Sequence, residues 1–275
     1  MQKKIDTTYL DQLRGVIHSS KGGWIVGEGV HNHGYSMMED FVGHVSYMQV
    51  TVLNATGRLP DKNFTAMLEA IFIGASWPDS RIWCNQIGAF GGTMRTSPSA
   101  ATLAGALAAD SRAYGTYPLV EGVSFIQMAL REKQRNLSIG DIIAKEHKLH
   151  PSQGYIMGYS RPVAKGDARI PALERTRKKL GLPKGDHLKL AFKIAKYIHK
   201  NTGEYINASG YVSALLSDNG FSALEAGRII TTIVSSGVMA CYVDTQSRPA
   251  QSFLPLRCSD IKYTGKPPRV LPNST

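Results

Sequence analysis

The chain reads Gly158-Tyr159-Ser160-Arg161-Pro162-Val163-Ala164-Lys165-Gly166-Asp167-Ala168-Arg169 near its middle. This stretch closes an irregular segment, residues 151–169, whose two prolines and three glycines cannot continue a helix. Two basic amphipathic helices are predicted directly after it, at about 171–180 and 186–200. The second helix has apolar residues on one side at helical spacing, namely Leu188, Ala191, Phe192, Ala195 and Ile198. We therefore expect the stretch to be a loop between helices.

Segments farther from this loop also favour helices. Asp61 can cap a helix whose apolar residues recur at helical spacing. The tetrapeptide Ser222-Ala223-Leu224-Glu225 is a capping box that opens a helix to about Tyr242. Another helix is predicted from about 122 to 134, after Pro118, which we expect to break the pattern before it.

Small residues mark two further segments. Residues 97–113 are mostly Ala, Gly and Ser, and they predict a helix buried at the centre of a bundle, because small side chains let helix backbones approach closely. Residues 22–34 carry five glycines and predict a short strand or hairpin. The sequence lacks the alternation of strands and helices that a Rossmann fold needs. It therefore predicts an all-α fold.

Length and composition limit the class of protein. The chain has 275 residues, which suits one large domain or two joined ones. Hydrophobic residues make up 43% and charged residues 19%, which excludes an intrinsically disordered chain. The net charge of +11 is typical of proteins that bind nucleic acid or a small ligand carrying phosphates. We do not expect nucleic acid, because no aromatic residues interleave the basic segments as they do in single-strand binders.

Cysteines and histidines give little support for a metal site. The three cysteines, Cys84, Cys241 and Cys258, form no CxxC pair, so reduced thiols are expected rather than zinc or disulfides. His31 and His33 would share a strand face, but two ligands without a third are weak evidence, and we expect no metal. No apolar run reaches the roughly 18 residues of a membrane span, and the N-terminus lacks a signal peptide's apolar segment. We expect a cytoplasmic protein without a membrane partner.

Several segments, in chain order, resemble elements of the citrate synthase family, above all its short citryl-CoA lyase-like members and the lyase module of ATP-citrate lyase. Residues 158–169 resemble the family's Gly-x-Gly-His-x-Val-x-Lys-x-Asp-Pro-Arg loop, and 207–210 lie where it has Asn-Val-Asp-Gly. The other matching segments are 34–41 with 57–60, 85–95 with Ser99, and 261–265 with 269–272. The resemblance covers about residues 30 to 272.

This resemblance implies an all-α, citrate-synthase-like fold with two helical domains. A large domain, residues 1–130 and 231–275, would carry the dimer contacts of a homodimer. A smaller mobile domain, residues 131–230, would bind ligand and coenzyme A. Family members join or split a carbon–carbon bond between an acyl-CoA and a 2-oxo acid, using an Asp base, two His and substrate-binding Arg residues. Such chemistry needs a base, donors to an oxyanion and a dry cavity.

The chain departs from the family at the catalytic positions. The resemblance places Ser209 at the Asp, Arg161 at the loop His and Asn85 at the helix His. It places Val120 at the second His, or Pro118 if two residues are gapped, and Val234 at a substrate Arg. Only Arg169 stands where a family substrate arginine stands. The resemblance therefore implies a rebuilt site in a carbon–carbon lyase or acyltransferase that acts on a coenzyme A thioester or related carboxylate.

Roles in such a site can be assigned as expectations. Arg161 would stabilise an enolate by its charge, Asn85 would bind a carbonyl oxygen and Arg169 a carboxylate. Glu121, next to the lost His, is the nearest candidate base, although a solvated carboxylate at a helix N-terminus explains it as well. Lys165, with Arg161, would meet the phosphates of coenzyme A, which is expected as a substrate and not as a permanently bound cofactor.

Two alternatives stay open. The chain could be a catalytically silent relative that binds an acyl-CoA or serves as a partner subunit, or an enzyme of different chemistry that uses the same cleft. The candidate catalytic residues are Asn85, Glu121, Arg161 and Ser209. The candidate substrate-binding residues are Arg169, Val120, Tyr159, His31 and His33.

Overall fold

The computed structural model describes residues 6–15, 17–112, 114–151, 154–161 and 166–271. Over these residues the chain forms twelve α-helices and one small antiparallel sheet, which confirms the all-α prediction. The chain divides into two compact units, one of Met1–Ala75 with Asp110–Ile233 and one of Ser76–Ala109 with Val234–Thr275. These bounds differ from those of the predicted large and small domains, whose roles stay a prediction.

The first unit holds nine of these helices. They are α1 (Thr8–Gln12), α2 (Tyr47–Thr56), α3 (Lys62–Ala75), α6 (Thr116–Gln134), α7 (Ile139–Leu149), α8 (Arg169–Lys179), α9 (Asp186–Thr202), α10 (Ala208–Asp218) and α11 (Ala223–Ile230). Apart from α1, which buries no residue, their apolar sides meet in one core, in which Phe64, Phe125 and Tyr211 are among the largest fully buried side chains. Helix α10 packs against α6 and α9, so its N-terminus is held among buried elements.

Local sequence signals account for several helix ends. The Phe64 N–H donates to Asp61 Oδ1 at 2.9 Å, and Ser222 and Glu225 form the expected capping box. The prediction for Pro118 is wrong: it lies in the first turn of α6, where its missing N–H is not needed for the helix. The helix after Ser222 ends at Ile230, and a separate helix, α12, covers Ser235–Gln246.

A small sheet forms where five glycines predict a hairpin. Strand β1 (Gly22–Ile25) pairs with β2 (Gly29–Asn32), and β2 pairs with β3 (Tyr35–Ser36), all antiparallel. The prediction of a hairpin is confirmed. A π-helical turn, Met37–Phe41, follows the sheet directly.

The second unit consists mainly of three helices, α4 (Trp83–Thr93), α5 (Pro98–Ala109) and α12. Helix α12 packs so closely on α4 that a side chain at Gly88 would overlap the Val238 carbonyl oxygen. Helix α5 buries only its small-residue face, while Leu103 and Leu107 on its other side are 62% and 76% exposed. The prediction that this helix is buried all round is therefore wrong for the single chain, because α4 and α12 cover one side of it.

Among the described residues, one helical stretch, Ala223–Gln246, is long and apolar enough to cross a membrane by length and composition alone. Half of its most apolar window is buried inside the protein. The core helix of a soluble protein passes the same test, so this property does not by itself assign the stretch to a membrane.

A network of charged side chains joins α8 to α10. Glu174 Oε1 accepts hydrogen bonds from Arg177 Nε and Tyr211 Oη, both at 2.8 Å, and Glu174 Oε2 lies 2.9 Å from Lys184 Nζ. Burial alone would raise the pKa of Glu174, but the hydrogen bonds from these three groups outweigh it and lower the pKa from 4.5 to about 2. The carboxylate therefore fixes α8 against α10 only while it is ionised.

Acid should weaken the fold through Glu174. Because its folded pKa lies below its ordinary value, the stabilisation is complete above about pH 5 and is lost as the pH falls from 4.5 through about 2. We expect Glu174→Gln to lower the free energy of unfolding at pH 7 by about 1–2 kcal/mol, because solvent screens part of the interaction of a carboxylate that is not fully buried. The variant should lose less stability than the parent on acidification. Urea titrations at pH 7, 4 and 2.5 measure both effects.

The control is Asp186→Asn, which removes a carboxylate that pairs with Lys189 where both side chains are exposed. This change should alter stability at pH 7 by less than about 0.5 kcal/mol. An acid response in Glu174→Gln equal to that of the parent would assign the acid sensitivity to other carboxylates.

Candidate functional site

The described parts of the stretch from Gly158 to Arg169, residues 158–161 and 166–169, contact the N-terminus of α10 and are called the loop below. Asn207 caps this helix by accepting the Gly210 N–H at 3.1 Å. Its Nδ2 donates to the Ser160 carbonyl oxygen at 2.6 Å, and its backbone N–H donates to the Gly158 carbonyl oxygen at 2.9 Å. One residue therefore holds both the helix end and the loop.

The two backbones touch at a pair of glycines. Gly158 has a φ of +87°, and a Cβ added there would lie 2.6 Å from Gly210 Cα. A Cβ at Gly210 would overlap the Gly158 carbonyl oxygen in turn. Both positions therefore need glycine, Gly158 for its conformation as well as for space.

Asp167 anchors the far end of the same loop. Its side chain is 1% exposed, and its carboxylate accepts two hydrogen bonds from the Arg169 guanidinium, at 2.8 and 2.6 Å. It also accepts the backbone N–H of Ala208, in the first turn of α10, at 2.8 Å. Burial alone would raise the pKa of Asp167, but the hydrogen bonds from Arg169 and Ala208 outweigh it and hold the pKa below its ordinary value. Asp167 is thus an ionised anchor and not a proton acceptor.

Arg161 and Arg169 form an arginine pair around Asp167. Arg161 Nη1 donates to the Gly166 carbonyl oxygen at 3.0 Å and lies 3.9 Å from Asp167 Oδ1. Their side chains are 21% and 29% exposed, so each guanidinium keeps some surface beyond the contacts with the loop. Because one ionised carboxylate faces two guanidinium groups, the cluster keeps a net positive charge, which favours an anionic ligand such as a carboxylate or phosphate.

The loop meets the N-terminus of α10 at a contact that we call the junction. Two hydroxyl groups there have no hydrogen-bond partner among the described residues. Tyr159 is 2% exposed, and its ring packs edge-on against Phe125 of α6 with 5.9 Å between ring centroids. Its Oη and the Oγ of Ser209, in the first turn of α10, are both buried and unpaired. Burial raises the pKa of Tyr159 well above its usual range, so the phenol stays protonated.

A second cluster of ionisable groups lies where α6 meets α7. Glu121 is half-buried on α6, close enough for its charge to act on Glu146 of α7. Burial raises the pKa of Glu146, the nearby His150 and His147 oppose this, and Glu121 raises it further. Glu146 is not among the site residues predicted from the sequence. The signal that could have marked it is its i,i+4 spacing to His150, whose Nε2 lies 3.7 Å from Glu146 Oε1.

Asn85 and Val234 belong to the second unit. Asn85 is buried on α4 and donates both amide hydrogens, to the Trp77 and Asp79 carbonyl oxygens at 3.0 and 3.1 Å. A role in binding a substrate carbonyl would require it to release one of these bonds. Val234 is buried directly before α12. The expected convergence of Asn85 with the residues of the first unit stays a prediction.

The remaining candidates lie elsewhere in the first unit. Val120 on α6 packs closely against Gly227 of α11. His31 lies on β2 and His33 in the turn after it, and a buried Nε2 of each has no partner within the described part of the chain. Lys165 lies outside the described residues. No group of three or more His, Cys, Asp or Glu that could hold a metal ion occurs among the residues described.

Neither a protein-family model nor a curated protein sequence matches the chain. Solved structures do match. The chain is similar to citryl-CoA lyase from Hydrogenobacter thermophilus, with a TM-score of 0.77 and 25% identity over 94% of this chain and 98% of that one.

Two larger proteins share the fold at lower identity. ATP citrate lyase from Methanothrix soehngenii, solved with citrate and coenzyme A, gives a TM-score of 0.74 at 12% identity over 95% of this chain and 44% of that one. Citrate synthase from Thermoplasma acidophilum, solved with carboxymethyl coenzyme A and oxaloacetate, gives 0.58 at 14% identity over 82% and 58%. Together with the helical architecture, these similarities identify the chain as a citrate-synthase-like, citryl-CoA lyase-like protein.

Proposed function

We propose that the chain is an enzyme that makes or breaks a carbon–carbon bond in a coenzyme A thioester or a related carboxylate. The arginine pair around Asp167 is the observation that carries this proposal, because it provides fixed positive charge for a carboxylate or a developing enolate. The similarity to a citryl-CoA lyase, which extends over nearly the whole of both chains, supports the reaction class. In this proposal coenzyme A enters as part of the thioester substrate and is not a permanently bound cofactor.

Each residue of the junction has a proposed role that follows from the chemistry of its side chain. Arg169 binds a carboxylate of the substrate, and Arg161 stabilises the negative charge that forms when the bond beside a carbonyl changes. Asp167 orients Arg169 and the loop, and its hydrogen bonds leave it unsuited to take a proton. Ser209 has no basic group, so Glu121 is the proposed proton acceptor. Glu146, whose pKa the charge of Glu121 raises, is the second candidate.

Turnover and the role of Arg161 can be tested together. Purified protein is incubated with citryl-CoA, and oxaloacetate release is followed by a coupled dehydrogenase. In the synthase direction, acetyl-CoA condenses with oxaloacetate and the citryl-CoA formed is hydrolysed by water to citrate, so turnover is followed by release of the coenzyme A thiol. We expect Arg161→Gln to lower turnover by about 100-fold, the loss usual for one donor to a developing oxyanion.

Arg175→Gln is the matched control, because Arg175 is an exposed cation on α8. Its turnover should equal that of the parent protein. If the two variants lose activity equally, general surface charge and not the loop position accounts for the effect.

Glu121 can be tested by isotope exchange without a complete reaction. A base beside the α carbon of an acyl-CoA incorporates deuterium from D2O, which mass spectrometry detects. We expect Glu121→Gln to slow this exchange by 100-fold or more, since general bases contribute about 100- to 10,000-fold. Exchange that survives in Glu121→Gln and is lost in Glu146→Gln would move the role to Glu146.

The sequence resemblance supports the silent alternative. It aligns Ser209 and Val120 with the positions of the family's base and one of its histidines, and neither side chain can accept a proton at neutral pH. Calorimetry with coenzyme A distinguishes the alternatives. If coenzyme A binds but the protein neither exchanges deuterium into an acyl-CoA nor cleaves citryl-CoA, the chain is a silent acyl-CoA-binding subunit. If coenzyme A does not bind, the result favours an enzyme of different chemistry in the same cleft.

A homodimer is proposed as the working form. The exposed side of α5 presents Leu103 and Leu107 one helical turn apart, and a second copy would remove this apolar surface from water. We expect Leu103→Glu with Leu107→Glu to convert a dimer to monomer in sedimentation velocity runs, while a change at the exposed Tyr9 of α1 should not. A parent protein that sediments as a monomer would contradict the proposal.

A further inference from the structure

A groove between α2 and α3 in the first unit takes no part in the proposed reaction. Its volume is about 300 Å³, at the lower end of the range for small-molecule sites. It is lined by residues 43–46, which lead into α2, by Gln49 of α2 and by Lys62, Thr65, Ala66 and Glu69 of α3. We call it the α2–α3 groove. None of these residues belongs to the loop, to the junction or to the ionisable cluster of α6 and α7.

The base of the α2–α3 groove is held rigid by paired polar groups. Gln49 is 4% exposed; its Oε1 accepts the Ser46 N–H at 3.0 Å, and its Nε2 donates to the Pro60 carbonyl oxygen at 2.9 Å. Thr65 is 1% exposed and donates its hydroxyl hydrogen to backbone carbonyl oxygens of the first turn of α3. The shape of the groove is therefore set before any ligand enters it.

The α3 side of the groove is a single helical face. Lys62, Thr65, Ala66 and Glu69 are spaced three, one and three residues apart, which places them on the same side of the helix. Ala66 contributes only a methyl group between the two charged residues. The small side chain leaves open space between one cation and one carboxylate.

The two charged side chains of this face have no partners. Both Lys62 and Glu69 are exposed, and neither side chain forms a hydrogen bond or ion pair within the described ranges. They cannot pair with each other as i,i+4 neighbours do, because seven residues at 1.5 Å each separate them by about 10 Å along the helix axis. The groove therefore has a positive end and a negative end.

A ligand that suits both ends carries one charge of each sign. Helical side chains lean toward the N-terminus, so the two charged groups keep about the separation of their backbone positions. A charge-assisted hydrogen bond of about 2.8 Å at each end leaves about 5 Å between the charges of the ligand. An α-amino acid is too short, because both its charged groups are attached to one carbon atom. A dipeptide, whose two residues extend over at most about 7 Å, is long enough.

We propose that the α2–α3 groove binds a small zwitterion of dipeptide length, with Lys62 paired to its carboxylate and Glu69 to its ammonium group. The groove is a second ligand site of the first unit. It does not depend on the carbon–carbon chemistry, because it shares no residue with the candidate site.

Glycylglycine is the probe, and its binding is measured by saturation-transfer difference NMR, which detects weak ligands. Acetate and ethylammonium each carry only one of the two charges, and we expect both to bind at least 10-fold more weakly. Lys62→Gln and Glu69→Gln should each weaken binding of glycylglycine by about 10-fold or more, as loss of a hydrogen bond to a charged group does. Arg175→Gln, which removes an exposed cation outside the groove, should bind as the parent does.

Two further variants separate this site from an effect of surface charge. Lys62→Glu combined with Glu69→Lys exchanges the two ends, and a zwitterion can turn round, so the double variant should recover most of the binding that either single reversal loses. Ala66→Phe fills the groove and leaves both charges in place, so it should abolish binding. Thermal melting of each variant confirms that it is folded.

A parent protein that shows no saturable binding of glycylglycine overturns the proposal. Equal losses in Lys62→Gln and Arg175→Gln also overturn it, because general surface charge would then account for binding. Full binding in Ala66→Phe would place the probe elsewhere and has the same consequence. Glycylglycine is not a substrate of the proposed reaction, so each of these results leaves the citryl-CoA assay to be read separately.

Discussion

The contact between the loop and the start of α10 depends on one buried carboxylate. Asp167 accepts hydrogen bonds from Arg169 in its own loop and from the backbone of Ala208 at the start of α10. Without its charge the loop and the helix would each retain an unpaired donor, and Arg169 would be a poorly compensated cation. The junction therefore exists as a single electrostatic unit, and the groups proposed to meet a substrate are attached to it.

The family pattern of this loop could be read from the sequence because it depends on residues that fix backbone geometry. Gly158, Asp167, Arg169 and Asn207 keep the contacts that join loop and helix. The resemblance implies that the residues expected to carry the reaction differ from the family, and no such geometric requirement constrains them. The sequence of this chain therefore predicts its architecture better than its chemistry.

The helices were predictable where a cap or an apolar periodicity marks them. The capping residues Asp61 and Ser222 form the expected bonds, and α9 buries the predicted side. Pro118 misled the prediction because a proline in the first turn of a helix looks, in sequence, like one that ends a helix. The burial of α5 could not be read from its small residues, because a sequence does not say how many sides its neighbours cover.

The contact between Gly158 and Gly210 has a consequence for how this protein can change. A side chain at either position would collide with the backbone of the other segment, so neither residue can be replaced unless the loop and the helix separate. Evolution of a new substrate preference is thereby channelled into the neighbours, Tyr159, Arg161 and Ser209. Relatives with different substrate preferences should therefore keep both glycines and differ at these neighbouring residues.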